Sequence, residues 1–258
     1  MEEAFSRTRM LIGQDALTFL HQAHVAVFGV GGVGGYVVEV LARSGIGQIS
    51  LYDNDTVNVS NLNRQIIALH STIGAYKVEV AAQRIADINP QCKVHAHRMF
   101  YLPALAEEID FNQFDYVVDC IDTTTAKIDL AHRCFKANIP IIASMGAANK
   151  MNPAGFRITD IYQTQIDPLA RILRKKLRKL GVTHLKVVYS EEEPCKTFLQ
   201  LTATNNDKQE ANTSKRPTPA SNAYVPAAAG IIIGGEVVND LIRRSTTSPI
   251  SSCVPNCF

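Results

Sequence analysis

Gly29, Gly31 and Gly34 stand in the spacing G-x-G-x-x-G within the run Gly29-Val30-Gly31-Gly32-Val33-Gly34. Such a turn lets the backbone approach phosphate oxygens at a helix N-terminus, where free N–H groups and the helix dipole favour an anion. Asp53 closes the next apolar run, Ile49 to Tyr52, at the place where a carboxylate accepts hydrogen bonds from ribose hydroxyls. Glycine turn and carboxylate together point to a bound nucleotide. A nicotinamide dinucleotide satisfies the same pattern, so the discrimination must come from further along the chain. There, a polar run from Asp53 to Gln65 contains Asp55, Asn61 and Arg64, and is followed by Lys77 and, later, Asp122.

The elements that must position these groups are legible as hydrophobic periodicities. His24 to Phe28 reads as a strand entering the glycine turn, and Val37, Val38, Leu41 and Ala42 recur at helical spacing after it. The alternation continues with strands at Ile49 to Tyr52, Val94 to His97, Tyr116 to Asp119 and Ile139 to Ala143. Helices are predicted at Val78 to Ile88 and Ile128 to Ala137. This order predicts a Rossmann-type, doubly wound and mostly parallel sheet with helices on both faces, and a ligand cleft at the carboxyl ends of its strands.

After Met145 the alternation fades into Phe156 to Thr159, a basic helix near Leu169 to Leu180, and a strand at Leu185 to Tyr189. Residues 202–222 are polar, with little to bury, and predict a mobile loop. The chain then re-enters the core with Ala227 to Ile242 and ends in a Ser/Pro/Cys tail expected to fray.

The run Asp53-Asn54-Asp55-Thr56-Val57-Asn58-Val59-Ser60-Asn61-Leu62-Asn63-Arg64-Gln65, with Lys77 after Ile73-Gly74, resembles the ThiF/MoeB/HesA family, bacterial relatives of ubiquitin-activating enzymes. Ile88-Asn89-Pro90 and Asp119-Cys120-Ile121-Asp122 extend the resemblance through about the first 160 residues. It implies that Asp53 holds ribose, that Asn61, Arg64 and Lys77 hold a triphosphate, and that Asp122 holds magnesium. Gly29, Gly31, Gly32, Gly34, Asp55 and Gln65 complete the implied ATP site. Arg7, in Phe5-Ser6-Arg7, resembles the arginine that reaches into a partner subunit's site, which implies a homodimer.

The chemistry of these side chains agrees, since attack of a carboxylate on an α-phosphate requires charge neutralisation more than acid–base catalysis. Arg64 offers a planar fork, Lys77 a point charge and Asp122 a ligand for the cation. Each also has a plainer reading: Arg64 as a surface ion pair, Lys77 as a solvated helix residue, Asp122 as a helix N-cap before Thr123.

In four stretches the chain most resembles the tRNA threonylcarbamoyladenosine dehydratase branch of that family. They are Phe5-Ser6-Arg7-Thr8, Arg64 to Ser71, Ser144-Met145-Gly146-Ala147 and Lys186 to Pro194, with Tyr224-Val225-Pro226 beyond them. The resemblance implies ATP-dependent activation of a threonyl carboxylate on tRNA, cyclisation and net loss of water. A tRNA substrate requires basic surface, and Arg171, Arg174, Lys175, Lys176, Arg178 and Lys179 supply cations on the predicted helix. A merely solvated helix face explains the same run. On this reading residues 1–160 are a nucleotide-binding adenylation core with an N-terminal arm. Residues 161–258 elaborate the same domain with a basic helix, a loop and a closing helix.

A net charge of +2, from 26 basic and 24 acidic side chains, creates no global field toward nucleic acid or membrane. The N-terminal stretch is charged and reads as neither signal peptide nor anchor. The longest apolar run, Val225 to Val238, is too short for a bilayer and contains Glu236, which leaves loose membrane association open but predicts a packed helix. Six scattered cysteines fit reduced thiols and a cytoplasmic location. Cys92, Cys120 and Cys134 read as core residues, and Cys195 as an ordinary loop thiol rather than a transfer cysteine. The one C-x-x-C-like pair, Cys253 and Cys257, lacks the second pair that a structural zinc needs, and His95 with His97 supplies only two metal ligands.

The first alternative is an activator of a ubiquitin-like sulfur-carrier protein, which shares the ATP site and brings a sulfur-relay partner. The second is an NAD-dependent oxidoreductase, which leaves Asn61, Arg64 and Lys77 unexplained.

Overall fold

The computed structural model describes residues 3–104, 106–196 and 219–245. Most of the loop predicted at 202–222, and the tail with Cys253 and Cys257, lie outside the described residues.

A wholly buried and largely apolar strand, β1 (His24–Phe28), lies inside the sheet: Val25 to Phe28 carry no group that needs water, and His24 Nε2 hydrogen-bonds with Ser50 Oγ at 2.8 Å. β2 (Gln48–Tyr52) and β4 (Tyr116–Asp119) flank it in parallel, followed outward by β3 (Lys93–His97) on one side and β5 (Ile141–Ser144) on the other. β7 (Lys186–Ser190) extends the parallel array, and β6 (Phe156–Asp160) closes the edge antiparallel to it. The resulting seven-stranded order is β3-β2-β1-β4-β5-β7-β6. The doubly wound, mostly parallel sheet predicted from the alternation is the one observed.

Alternate residues of β1 enter different cores. Val25 and Val27 join a cluster with α3 (Gly34–Arg43) and α4 (Lys77–Ile88), whereas Ala26 and Phe28 pack toward α5 (Thr124–Ala137). The basic helix, α6 (Pro168–Lys179), buries Ala170, Leu173 and Leu177 at helical spacing and starts on an Asp167 cap that accepts the Ala170 N–H at 2.8 Å. Two short helices not anticipated as elements, α1 (Ser6–Ile12) and α2 (Gln14–Gln22), precede β1; buried Leu17 and Leu20 hold the second against the core.

The closing helix, α7 (Tyr224–Arg244), is longer than its apolar run. It crosses α3 closely, since a Cβ at Gly230 would lie 2.4 Å from the Val33 carbonyl oxygen and one at Gly234 would lie 2.7 Å from Val40 Cβ. By length and composition α7 qualifies as a membrane span, but 61% of its apolar window is buried in the protein. Glu236 within it is buried and paired with Lys186 at 2.8 Å and Arg243 at 2.9 Å. These pairings belong to a helix packed in a protein core.

Candidate active site

The glycine turn forms because its atoms leave no room for side chains. A Cβ at Gly34 would stand 1.9 Å from the Gly29 carbonyl oxygen, and one at Gly29, whose φ is +88°, would stand 2.7 Å from the Cys120 oxygen. Gly34 therefore packs beneath the turn, while Gly29, Gly31 and Gly32 face a cavity of about 460 Å³.

Asp53 leaves β2 with its carboxylate held from two sides. Oδ2 accepts the Val30 N–H at 2.8 Å and Oδ1 the Asp55 N–H at 2.8 Å. Each oxygen keeps a further acceptor site and Asp53 lines the cavity, so a ribose there would meet a carboxylate already fixed in place.

The cations arrive from separate segments. Arg64 follows a short helical turn, Val59–Asn61, which Asn58 caps by accepting the Ser60 N–H at 3.0 Å while Asn61 Oδ1 accepts the Asn58 N–H at 3.0 Å. Arg64 Nη1 donates to Ser60 O at 2.9 Å and to Asn63 Oδ1 at 3.0 Å, leaving donors of its fork to spare. Lys77 opens α4 and is buried, 5% exposed, with Nζ 2.7 Å from Asp55 Oδ2. The alternative of a solvated Lys77 is excluded by that burial. Arg64 makes no ion pair among the described residues.

Gln65 is also buried, and its Oε1 has no hydrogen-bond partner. A buried amide oxygen left unpaired costs free energy, which a donor on a bound ligand or on its hydration shell would recover. Asp122 is exposed, accepts from Thr123 Oγ1 at 3.4 Å, and does not cap α5, whose N-cap is Thr123. Arg64, Lys77 and Asp122 line one cavity together with Asp53, Asp55, Asn61 and Gln65.

Two buried residues form a pair that the amino-acid sequence did not suggest, although Asp119 belongs to the Asp119-Cys120-Ile121-Asp122 stretch. Asp119 and Lys127 are 0% and 1% exposed and form an ion pair at 2.9 Å. Asp119 Oδ1 accepts the Ile121 N–H at 3.1 Å, so the pair props the loop on which Asp122 stands. Burial pushes the Asp119 carboxyl upward in pKa, opposed by Lys127. Periodicity could not find the pair, because a lysine inside a helix reads as solvated until the packing is known.

Cys120 packs against the main core as expected, but it is only partly buried and also lines the cavity. Burial pushes its thiol up to about 12, so it is no nucleophile at neutral pH. Cys92 and Cys134 are buried, and Cys195 is exposed with Sγ 3.7 Å from Glu192 Oε1. His97 stacks on Tyr52 with centroids 4.4 Å apart, and His95 lies 5.6 Å from the His24 ring. Among the described residues no cluster of three metal-capable side chains forms. Asp122 alone still suits magnesium, which takes one or two carboxylates and completes its shell from phosphates and water.

Arg7 is exposed on α1 and does not line the cavity of its own chain. On α6, Arg171, Lys175, Lys176, Arg178 and Lys179 are exposed. Arg174 turns inward instead, donating to Thr164 O at 2.7 Å, and the Arg178 guanidinium lies 5.1 Å from the Tyr162 ring centroid.

Comparison with known proteins agrees with this geometry. The chain is 46% identical to a tRNA threonylcarbamoyladenosine dehydratase of Bacillus subtilis over 245 residues, covering 94% of this chain and 96% of the relative. It is 37% identical over 172 residues to the molybdopterin-synthase adenylyltransferase of Salmonella typhimurium, covering 66% of this chain and 65% of that one. Among solved structures, the Escherichia coli tRNA N6-threonylcarbamoyladenosine dehydratase in complex with ATP superposes with a TM-score of 0.82 at 32% identity, covering 95% and 96% of the two chains. Its complex with AMP superposes at 0.83 and 31% identity. The ThiF family pattern matches residues 5–159, and with the glycine turn, Asp53 and the cations gathered around one cavity, the chain belongs to the ThiF family.

Proposed function

We propose that this chain uses ATP to adenylate the threonyl carboxylate of N6-threonylcarbamoyladenosine in tRNA, after which the modification cyclises with net loss of water. The observation that carries the reading is the meeting of Arg64, Lys77 and Asp122 at one cavity with the glycine turn. The similarity to dehydratases over nearly the whole chain supports the substrate.

In the proposed reaction a carboxylate oxygen bonds to the α-phosphorus of ATP and pyrophosphate leaves. Arg64 and Lys77 neutralise the phosphate charge that builds on the way, and Asn61 and Gln65 orient oxygens within the cradle. Magnesium, held by Asp122, would spread charge over the departing pyrophosphate. The ureido group of the same modification then attacks the activated carbonyl carbon and AMP leaves. The oxygen lost from the carboxylate ends on AMP, and a proton is released.

Arg7 completes the site of a second copy on this reading, so the working unit is a homodimer, and α6 meets tRNA phosphates. Residues 1–160 act as the adenylation core and 161–258 as its elaboration, in a cytoplasmic enzyme; a sulfur-relay protein remains a candidate partner. The experiment is to supply ATP with threonylcarbamoyl-modified tRNA, or with a carrier protein ending in Gly-Gly, and follow AMP and pyrophosphate. Release with modified tRNA is expected. Release with the carrier alone would transfer the activity to the sulfur-carrier reading, and none with either would sink adenylation.

A further inference from the structure

The cavity runs along the carboxyl ends of five parallel strands, and their order fixes what lies where. Met99 follows β3, Asp53 follows β2, Gly29 follows β1, Asp122 follows β4 and Ala147 follows β5, and all five residues line the cavity. On the nucleotide reading Asp53 takes the ribose, the glycine turn with Arg64 and Lys77 takes phosphates, and Asp122 takes their magnesium. The end beyond β5 is then left over. Its walls come from two segments, Ala147 with Ala148 and Pro219 with Ser221, and none of these side chains is charged. Such a wall cannot neutralise phosphate, but it suits the uncharged arm that brings in an acceptor carboxylate.

Asn149 joins the two segments. Its N–H donates to Ala220 O at 2.8 Å, its Oδ1 accepts the Ala220 N–H at 2.8 Å, and its carbonyl oxygen accepts the Cys195 N–H at 2.7 Å. The residue after Ala148 is thus latched to the residue between Pro219 and Ser221. To make these bonds Asn149 holds φ at +57°, in the left-handed region that asparagine tolerates better than most side chains. Flanking bonds continue the latch: Asn222 Nδ2 donates to Lys150 O at 2.8 Å, and Asn63 Nδ2 donates to Ser221 O at 3.2 Å, which ties the wall to the segment carrying Arg64.

The basic helix starts at this same end. Asp167, which caps α6, has Oδ2 3.4 Å from the Cβ position of Gly146, and Ala170, Leu173 and Leu177 of α6 share a core cluster with Ala143 and Met145. The cations proposed to meet tRNA phosphates therefore belong to the β5 side of the sheet, away from Asp53.

We propose that the β5 end of the cavity receives the acceptor, the carboxylate-bearing arm of the modified adenine, and that Asn149 is the positioning residue that holds the walls of this end together. The proposal deepens the function given above and rests on it. A carboxylate attacks only when held close to the α-phosphorus and in line, so slack of about 1 Å in the wall that guides it is felt in the rate.

AMP release with modified tRNA, and calorimetric titration with ATP, test the assignment. N149A is expected to lower kcat/KM for modified tRNA about 3- to 10-fold, the worth of one hydrogen bond, with the Kd for ATP unchanged. N149G keeps the left-handed backbone and removes the same side-chain bond, so it should show the same loss. N149D keeps an acceptor oxygen in place and should restore the wild-type value. A148L, which fills the acceptor end, should lower kcat/KM for modified tRNA about 100-fold and again spare ATP binding. Wild-type turnover in N149G overturns the proposal. A Kd for ATP that rises in step with the loss in N149A or A148L overturns it too, since that end would then hold nucleotide. If the Asn149 variants fail to fold, A148L decides. Failure of the wild type itself to release AMP with modified tRNA removes the underlying function, and this placement with it.

Discussion

Lys77 Nζ and Asp55 Oδ2 are 2.7 Å apart, one partner 6% and the other 63% exposed at the side chain. The buried ammonium thus depends on a carboxylate that solvent can draw away. A polyphosphate entering the cavity offers Lys77 a stronger partner, and Asp55 becomes the group displaced. Asp55→Asn should destabilise the free protein but not its ATP complex. The ATP-induced rise in Tm should then exceed that of the wild type by about 2–4 °C, the response to roughly 1 kcal/mol in a chain of this size. A smaller rise in a thermal shift assay would mean that Asp55 binds the nucleotide rather than yielding to it.

Arg64→Ala and Lys77→Ala should each lower kcat/KM at least ~100-fold, the usual loss when one charge-stabilising group is removed from a transition state. Both variants should fold. Arg64 bonds only to its own surface turn, and the carboxylate that Lys77 leaves behind already meets water. Normal turnover in either variant would refute its phosphate role.

Lys127→Met should cost about 3–5 kcal/mol, because it strands Asp119 as a lone buried charge. Its pH dependence has a definite sign. Burial raises the folded-state pKa of Asp119, so without Lys127 the folded chain binds that proton more tightly than the unfolded chain. The variant should therefore recover stability relative to the wild type as pH falls, and lose it as pH rises above the ordinary carboxylate pKa. Denaturant unfolding at several pH values tests this; a pH-independent difference would show that Lys127 acts through packing alone.

Replacing Lys175 and Lys179 with Ala should weaken tRNA binding across sequences and reduce the slope of log K against log salt by about two. ATP affinity should hold. Arg174→Ala should leave that slope alone, since the guanidinium is committed to the Thr164 carbonyl oxygen. Filter binding over a salt series would expose an error, most directly if Arg174→Ala moved the slope as far as the paired variant.

Local order was legible wherever a residue's role depends on its near neighbours. His24 to Phe28 and Tyr116 to Asp119 are strands with the predicted bounds, because an unbroken apolar run between polar ends admits few other structures. The helix after Asp122 begins earlier than its apolar repeat suggested, at Thr124, since a first turn needs no buried face. α1 and α2 went unanticipated: their apolar positions gain meaning only against the core they cover.

By itself the amino-acid sequence determined the Rossmann-type sheet and the glycine turn, because those follow from periodicity and from residue types at fixed spacing, and the run from Asp53 to Gln65 carried the resemblance to the family. Only the tertiary structure decided that Lys77 is buried against Asp55, that Asp119 and Lys127 form a closed pair, and that α7 returns to wall the cavity through Pro226. Burial and ion pairing belong to atoms brought together from distant parts of the chain. No local pattern encodes the dielectric in which a charge will finally sit.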